Sequence, residues 1–331
     1  ACLAAVIVNA VLHKSTGNAR SREWIVFVAS ALSPPIIAWA LLSFRMSSNE
    51  ALAGLFSSWT TALNSGVGSL KFFRYGMGTD RPLANIITML KHLGGLIAVM
   101  SPAVLAAWWW KGKSTVIPAV IACLVYVLGG GIFRISGLVF ETARILPLVM
   151  IVWMVVLWCA RRTAGAQRHK RLTLAITLAA FAIVLTGKMI LNCRLHQYGF
   201  VLAMPAFIML VVALLYWLPN WLTSIGRSGG LFRGAALGVL LAASLSYLSR
   251  TNHYISKKHI TVGTGSDAFL ADGRGPPVNF VLGEMTSLLG PDQTIGVLPE
   301  GVMINYLVRR PSGWRHTNFM PTEVALFGED A

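Results

Sequence analysis

The chain has 331 residues, of which 55% are hydrophobic and only 12% charged, and its mean hydropathy is +0.65. A soluble domain carries about 25% charged residues, so the composition excludes an ordinary soluble globule and indicates a polytopic membrane protein. The net charge of +16 is uneven: residues 1–249 hold 21 Lys+Arg against 4 Asp+Glu, and residues 250–331 hold 7 against 8. The basic residues of the first part lie mostly in short loops between apolar runs, a topology signal rather than a nucleic-acid face, so no nucleic-acid partner is expected. The change near residue 250 predicts a transmembrane helical domain over 1–249 and a separate domain over 250–331.

The chain opens ACLAAV, already inside an apolar run, and closes GEDA; a piece of a longer protein, truncated at both ends, is expected. A membrane-spanning helix needs about 20 apolar residues. Such runs lie at 1–12 (partial), 24–44, 84–109, 115–133, 144–160, 172–192, 199–218 and 231–248, so an all-α membrane domain of about seven to eight transmembrane helices is expected. Pro34-Pro35, Pro102 and Pro118 interrupt several of them, which membrane helices tolerate when neighbours satisfy the freed backbone groups.

Loop charge predicts the orientation. Lys14, Arg20 and Arg22 fill one loop, Lys111 and Lys113 another, RRTAGAQRHKR (161–171) a third, and Arg227 with Arg233 a fourth. These alternate loops share one side, and the positive-inside rule makes it the cytoplasm. The loops at 45–83, 134–143 and 193–198, and everything after 249, are then expected to face outward.

In the first outward loop, residues 47–63 repeat Leu52, Leu55, Phe56 and Trp59 at helical spacing, which predicts a helix lying in the interface plane. SLKFFRYGMGTDRP (69–82) follows, alternating basic and aromatic residues as at headgroup level. Asp80 precedes Arg81-Pro82 and a new apolar run. It is either an N-cap with Pro in the first turn or, with Arg74 and Arg81, part of a catalytic or phosphate site. Lys91 and His92 lie about two turns into the next helix and either snorkel or line a polar cavity. Glu141 and Arg144 are three apart on one helix face, an ion pair in one reading and site residues in another.

The densest polar group between apolar runs is the turn KMILNCRLHQYGFVLAMP, Lys188–Pro205. Lys188, Arg194, His196 and Tyr198 can all donate to a phosphate: Arg194 by two parallel bonds, Lys188 as a point charge, Tyr198 by its hydroxyl, His196 as a donor or proton shuttle. Charge at membrane depth is costly and marks a functional site by default. The competing reading is a set of interfacial anchors. The four cysteines are scattered and no His/Asp/Glu cluster has metal-ligand spacing, so no metal is expected in this part.

Beyond 250, GPPVNFVLGEMTSLLG (275–290) reads as a helix, QTIGVLP (293–299) as a short strand and EGVMINYLVRR (300–310) as a helix. Together they predict a small extracytoplasmic α/β domain. GTGSD (263–267) is only a weak candidate for a nucleotide loop. Glu300 suits the positive end of a helix dipole.

The outward loops, the turn RLHQYGFVLAMP and the tail VLPEGVMINYLVRRP resemble the C-terminal portion of bacterial integral-membrane glycosyltransferases of the GT-C superfamily. These include the protein mannosyltransferase-like and aminoarabinose transferase-like enzymes (glycosyltransferase family 39 type). The resemblance implies a bacterial inner-membrane enzyme that uses a polyprenyl-phosphate sugar on the extracytoplasmic side, with membrane lipids around it and a glycan, lipid or protein as acceptor. It implies no other cofactor. An Arg-Tyr-type element of that family meets the lipid phosphate; Arg194 and Tyr198 match it, although Leu195-His196-Gln197 separates them here. The family's acidic catalytic residue lies in its first outward loop, which is expected upstream of this chain, so the piece alone is expected to be inactive. A transporter or lipid flippase, and a non-catalytic anchor for a recognition domain, are the alternatives.

Overall fold

A computed structural model describes residues 8, 17–63, 65–110, 116–132, 143–195, 199–314, 319–322 and 324. The helices in chain order are α1 (Gly17–Ser43), α2 (Ser48–Leu63), α3 (Ser65–Ser69), α4 (Lys71–Met77), α5 (Pro82–Trp109), α6 (Val116–Ile132), α7 (Leu146–Arg162), α8 (Ala166–Thr186), α9 (Gly199–Val212), α10 (Leu218–Ser224) and α11 (Gly229–Ser256). Six stretches among the described residues are long and apolar enough to cross a membrane: Ile25–Ser43, Lys71–Trp109, Ala143–Arg162, Arg168–Met189, Gly199–Ser224 and Gly229–Ser256. A shorter apolar stretch is Val116–Gly130. The chain is a helical membrane protein. The partial run expected at 1–12 lies outside the described residues except for Val8.

The chain divides into two units. One comprises residues 1–56 and 71–246, the other residues 57–70 and 247–331.

In the first unit, α2 begins with a capping box spelled Ser47-Ser48-Asn49-Glu50. Glu50 accepts from the Ser47 backbone N–H at 3.1 Å, and its own N–H donates to Ser47 Oγ at 3.3 Å, which satisfies two orphan donors at the helix start. Helix α2 thus forms over the stretch predicted from its spacing. The core of the unit lies among α7, α8 and α9, where Leu146, Met150, Ala179, Ala182, Ala203 and Ala206 are buried. Lipid is as apolar as leucine, so close approach over alanines rather than water exclusion holds these helices together. A π-helical turn at Ala213–Trp217 joins α9 to α10, and Trp217 stacks on Trp153 at 5.1 Å.

Helix α6 packs on a glycine face of α11. A Cβ on Gly234 would stand 2.0 Å from the Ala119 carbonyl oxygen, and one on Gly238 would stand 2.5 Å from that of Cys123. Both contact numbers rise together, so the two helices run parallel.

Hydrogen bonds fix the ends of the bundle. Ser228 N–H donates to Ala107 O at 3.0 Å and Arg227 Nη1 to Trp108 O at 2.8 Å, joining the end of α5 to the start of α11. Arg161 Nε donates to Thr173 Oγ1 at 3.2 Å, joining the end of α7 to the start of α8. The basic segments 161–171 and 227–233 therefore share one end. The starts of α5, α7 and α9 lie at the other.

The second unit holds a two-stranded antiparallel hairpin, β1 (Ile260–Val262) and β2 (Phe269–Ala271), with Thr261 opposite Leu270. Helix α12 (Gly275–Leu288) packs on β1, and Asn279 Nδ2 donates to Thr261 O at 2.7 Å. Helix α13 (Val302–Leu307) follows. GTGSD turns the hairpin, with Gly263 and Gly265 at φ of +80° and +59°; its glycines serve the chain reversal. The Asp267 carboxylate accepts from Tyr306 Oη at 2.8 Å and from Arg309.

The strand expected over 293–299 does not form. That segment makes scattered bonds, from Ile295 N–H to Pro311 O at 3.1 Å and from Phe319 N–H to Pro299 O at 2.7 Å, and Pro299, which has no N–H, closes it, so no ladder develops among the described residues. The strands arise instead at 260–271. Among the described residues this is a hairpin with helices, not a layered α/β sheet.

Candidate functional site

At the α5/α7/α9 end, three segments distant in sequence meet within the first unit. The first is α4 and the link to α5. Gly78 adopts φ +79°, and a Cβ there would stand 2.8 Å from the Leu191 backbone; both its handedness and its closeness to the turn require glycine. The Leu191 N–H donates to Met77 O at 3.2 Å. Pro82 opens α5, as its fixed φ allows.

The N-cap position is Arg81, and no side chain caps the helix. Asp80 is thus not the cap that its position before Arg-Pro suggests. Its carboxylate instead faces Asn85, whose Nδ2 lies 3.5 Å from Oδ1. Asn85 also donates to Gly78 O at 2.8 Å and accepts from Arg144 Nη1 at 3.3 Å. One amide therefore ties Asp80, the Gly78 turn and Arg144 together. Arg144 lies on a short 3-10 turn, Ala143–Ile145, leading into α7.

The second anchor is Asn192, 2% exposed. Its Nδ2 donates to Tyr75 O at 2.7 Å, and its Oδ1 accepts from Arg194 Nε at 3.1 Å. The Arg194 guanidinium also lies over the Tyr75 ring, 4.7 Å from its centroid, a cation–π contact. With Nε committed to Asn192 and one face to Tyr75, Arg194 keeps both terminal amino groups as donors among the described residues. Gly199 starts α9 so close to this loop that a Cβ would fall 2.4 Å from Arg194 O.

Of the sequence candidates, Asp80 and Arg144 meet through Asn85, and Arg194 is held by Asn192; both asparagines donate to the backbone of the same stretch, at Gly78 and Tyr75. Lys188, on the 3-10 turn Gly187–Met189, is exposed at the same end, as are Arg74 and Arg81. His196, Tyr198 and Glu141 lie outside the described residues. His92 Nδ1 sits 2.7 Å from the Thr88 carbonyl of its own helix and so takes a local partner. Sequence reading missed Asn85, Asn192 and Tyr75; the available signal was a lone amide at the edge of an apolar run.

Arg74, Arg81, Arg144, Lys188 and Arg194 all lie on the segments at this end, and the starts of α5, α7 and α9 add positive helix-dipole ends. Such an end suits an anion. Burial pushes the Cys193 thiol up to about 12, against a smaller opposing effect of its hydrogen bond with the Arg194 backbone. It reports on the turn: with the other cysteines replaced by alanine, Cys193 resists maleimide at pH 7, where it is protonated and inaccessible. Gly78→Ala forces a left-handed alanine against Leu191 and should raise the labelling rate about tenfold. An unchanged rate would mean that the two segments do not brace each other.

No protein-family model matches this chain, and neither a curated protein nor a solved structure matches it.

Proposed function

We propose that this chain is part of a membrane glycosyltransferase that moves a sugar from a polyprenyl-phosphate carrier to an extracytoplasmic acceptor, and that the Arg194 cluster holds the carrier phosphate. The observation that carries the reading is the pinning of Arg194 by Asn192 and Tyr75, which leaves a two-pronged donor, among the described residues, at the end of the bundle where Arg144 also lies. A guanidinium held in this way matches a phosphate bidentately. The all-basic segments at the opposite end support a cytoplasmic assignment for that end, which puts the cluster and residues 250–331 outside.

In this reading the acceptor oxygen or nitrogen attacks the anomeric carbon. The bond from that carbon to the phosphate oxygen breaks, and the phosphate leaves with the electron pair. Arg194, Arg144 and Lys188 stabilise the charge it gains. A carboxylate takes the acceptor proton. An acid outside these 331 residues is the first candidate for it, and Asp80, beside Asn85, the second. A transporter would place polar groups near the bilayer midplane; here the contacts of Arg144 and Arg194 lie at one end of the bundle.

Binding of the carrier tests the reading. A polyprenyl monophosphate should raise the melting temperature of the detergent-solubilised protein, whereas the matching polyprenol should not. Lys188→Ala should weaken binding about tenfold, the worth of a charge-assisted hydrogen bond. Equal effects of phosphate and alcohol would end the proposal.

A further inference from the structure

The bundle carries a second feature at the end opposite the cluster. Between α6 and α11 runs a groove of about 390 Å³, walled by Val116, Val120 and Leu124 from one helix and Leu237 from the other. Gly234 and Gly238 let α11 approach the α6 backbone closely, and the groove runs along that contact. From Val116 to Leu124 the apolar wall is about 12 Å long at 1.5 Å per residue, enough to lay an acyl segment along it.

The lining holds one charged residue, Arg233, in the first turns of α11. Its Nη2 donates to Asn220 Oδ1 at 3.1 Å, which steadies the guanidinium and leaves its other donors unused among the described residues. This end also carries Arg161, Arg162, Arg168, Lys170, Arg171 and Arg227, and the sequence has no acidic residue between Glu141 and Asp267.

We infer that this groove is a binding site for an anionic phospholipid, its acyl chain along Val116, Val120 and Leu124 and its phosphate on Arg233. An apolar slot that ends on a guanidinium bonded to Asn220, at an end whose segments 161–171 and 227–233 carry cations and no acid, complements a headgroup of net negative charge attached to a tail. A zwitterionic lipid offers the same tail but carries its own cation into that field. The site is separate from the Arg194 cluster and does not depend on the function proposed for it.

The detergent-solubilised full chain is titrated with dioleoyl phosphatidylglycerol, dioleoyl phosphatidylcholine and free glycerol 3-phosphate, and retained adducts are counted by native mass spectrometry. Phosphatidylglycerol should bind about fivefold more tightly than phosphatidylcholine, the contribution of one interfacial arginine. Arg233→Gln should erase that preference, and Val120→Trp, which fills the slot, should weaken both lipids. Free glycerol 3-phosphate should not compete. The inference is overturned if wild type shows no preference, if both variants bind as wild type does, or if the free phosphate displaces the lipid.

Discussion

Under the transferase reading proposed above, Arg194→Ala is expected to lower turnover about 10²- to 10³-fold, the usual loss when a preorganised donor to a developing charge is removed. Carrier affinity should fall less, because the phosphate gains charge only as the sugar leaves. The geometry explains why one residue has so large a share. Its Nε bond to Asn192 and its place over Tyr75 hold the guanidinium before the carrier arrives, so no side-chain ordering is needed during reaction. Arg194→Lys keeps the charge but loses the fork and the bond to Asn192, and should recover only part of the rate. Single-turnover transfer from a polyprenyl-phosphate sugar is the measurement, with Cys193 protection confirming an intact turn. Normal turnover in the alanine variant would remove Arg194 from the mechanism.

The second large effect belongs to the fold. Gly234→Leu should destabilise the protein by at least about 3 kcal/mol, the upper end of the overpacking range. A Cβ alone would lie 2.0 Å from the Ala119 carbonyl oxygen. The obstacle is main chain and cannot rotate away, so α6 must leave α11. Leu237→Ala, on an exposed position of the same helix, should cost far less. Unfolding midpoints in mixed micelles compare the two, and equal midpoints would contradict the parallel glycine contact.

Much of this architecture was legible because its signals are local. A long apolar run declares its helix, Ser47 to Glu50 spells a capping box, and Lys and Arg between runs mark one end of the bundle. The candidate turn was legible for the same reason: Lys188 and Arg194 stand out against apolar neighbours. What completes the site is not local. Asn192 meets Tyr75 across 117 positions and Arg144 meets Asn85 across 59, and neither asparagine announces a partner that far away. Asp80 shows the converse, since a residue before Arg-Pro looks like a cap until Asn85 is seen beside it. The hairpin at 260–271 escaped because strands of three residues carry too little alternation to read, whereas QTIGVLP has the composition of a strand but makes only scattered backbone bonds among the described residues.

The parallel pairing of α6 with α11 has a consequence in time. Ala119 and Gly234 are 115 positions apart, and chains lengthen at about 5–20 residues per second. On a ribosome, α6 therefore waits some ~6–23 s for the helix that carries its docking face. It has only 17 residues and must hold its place in the bilayer through that interval without its final neighbour. Docking of α6 on α11 is thus paced by synthesis.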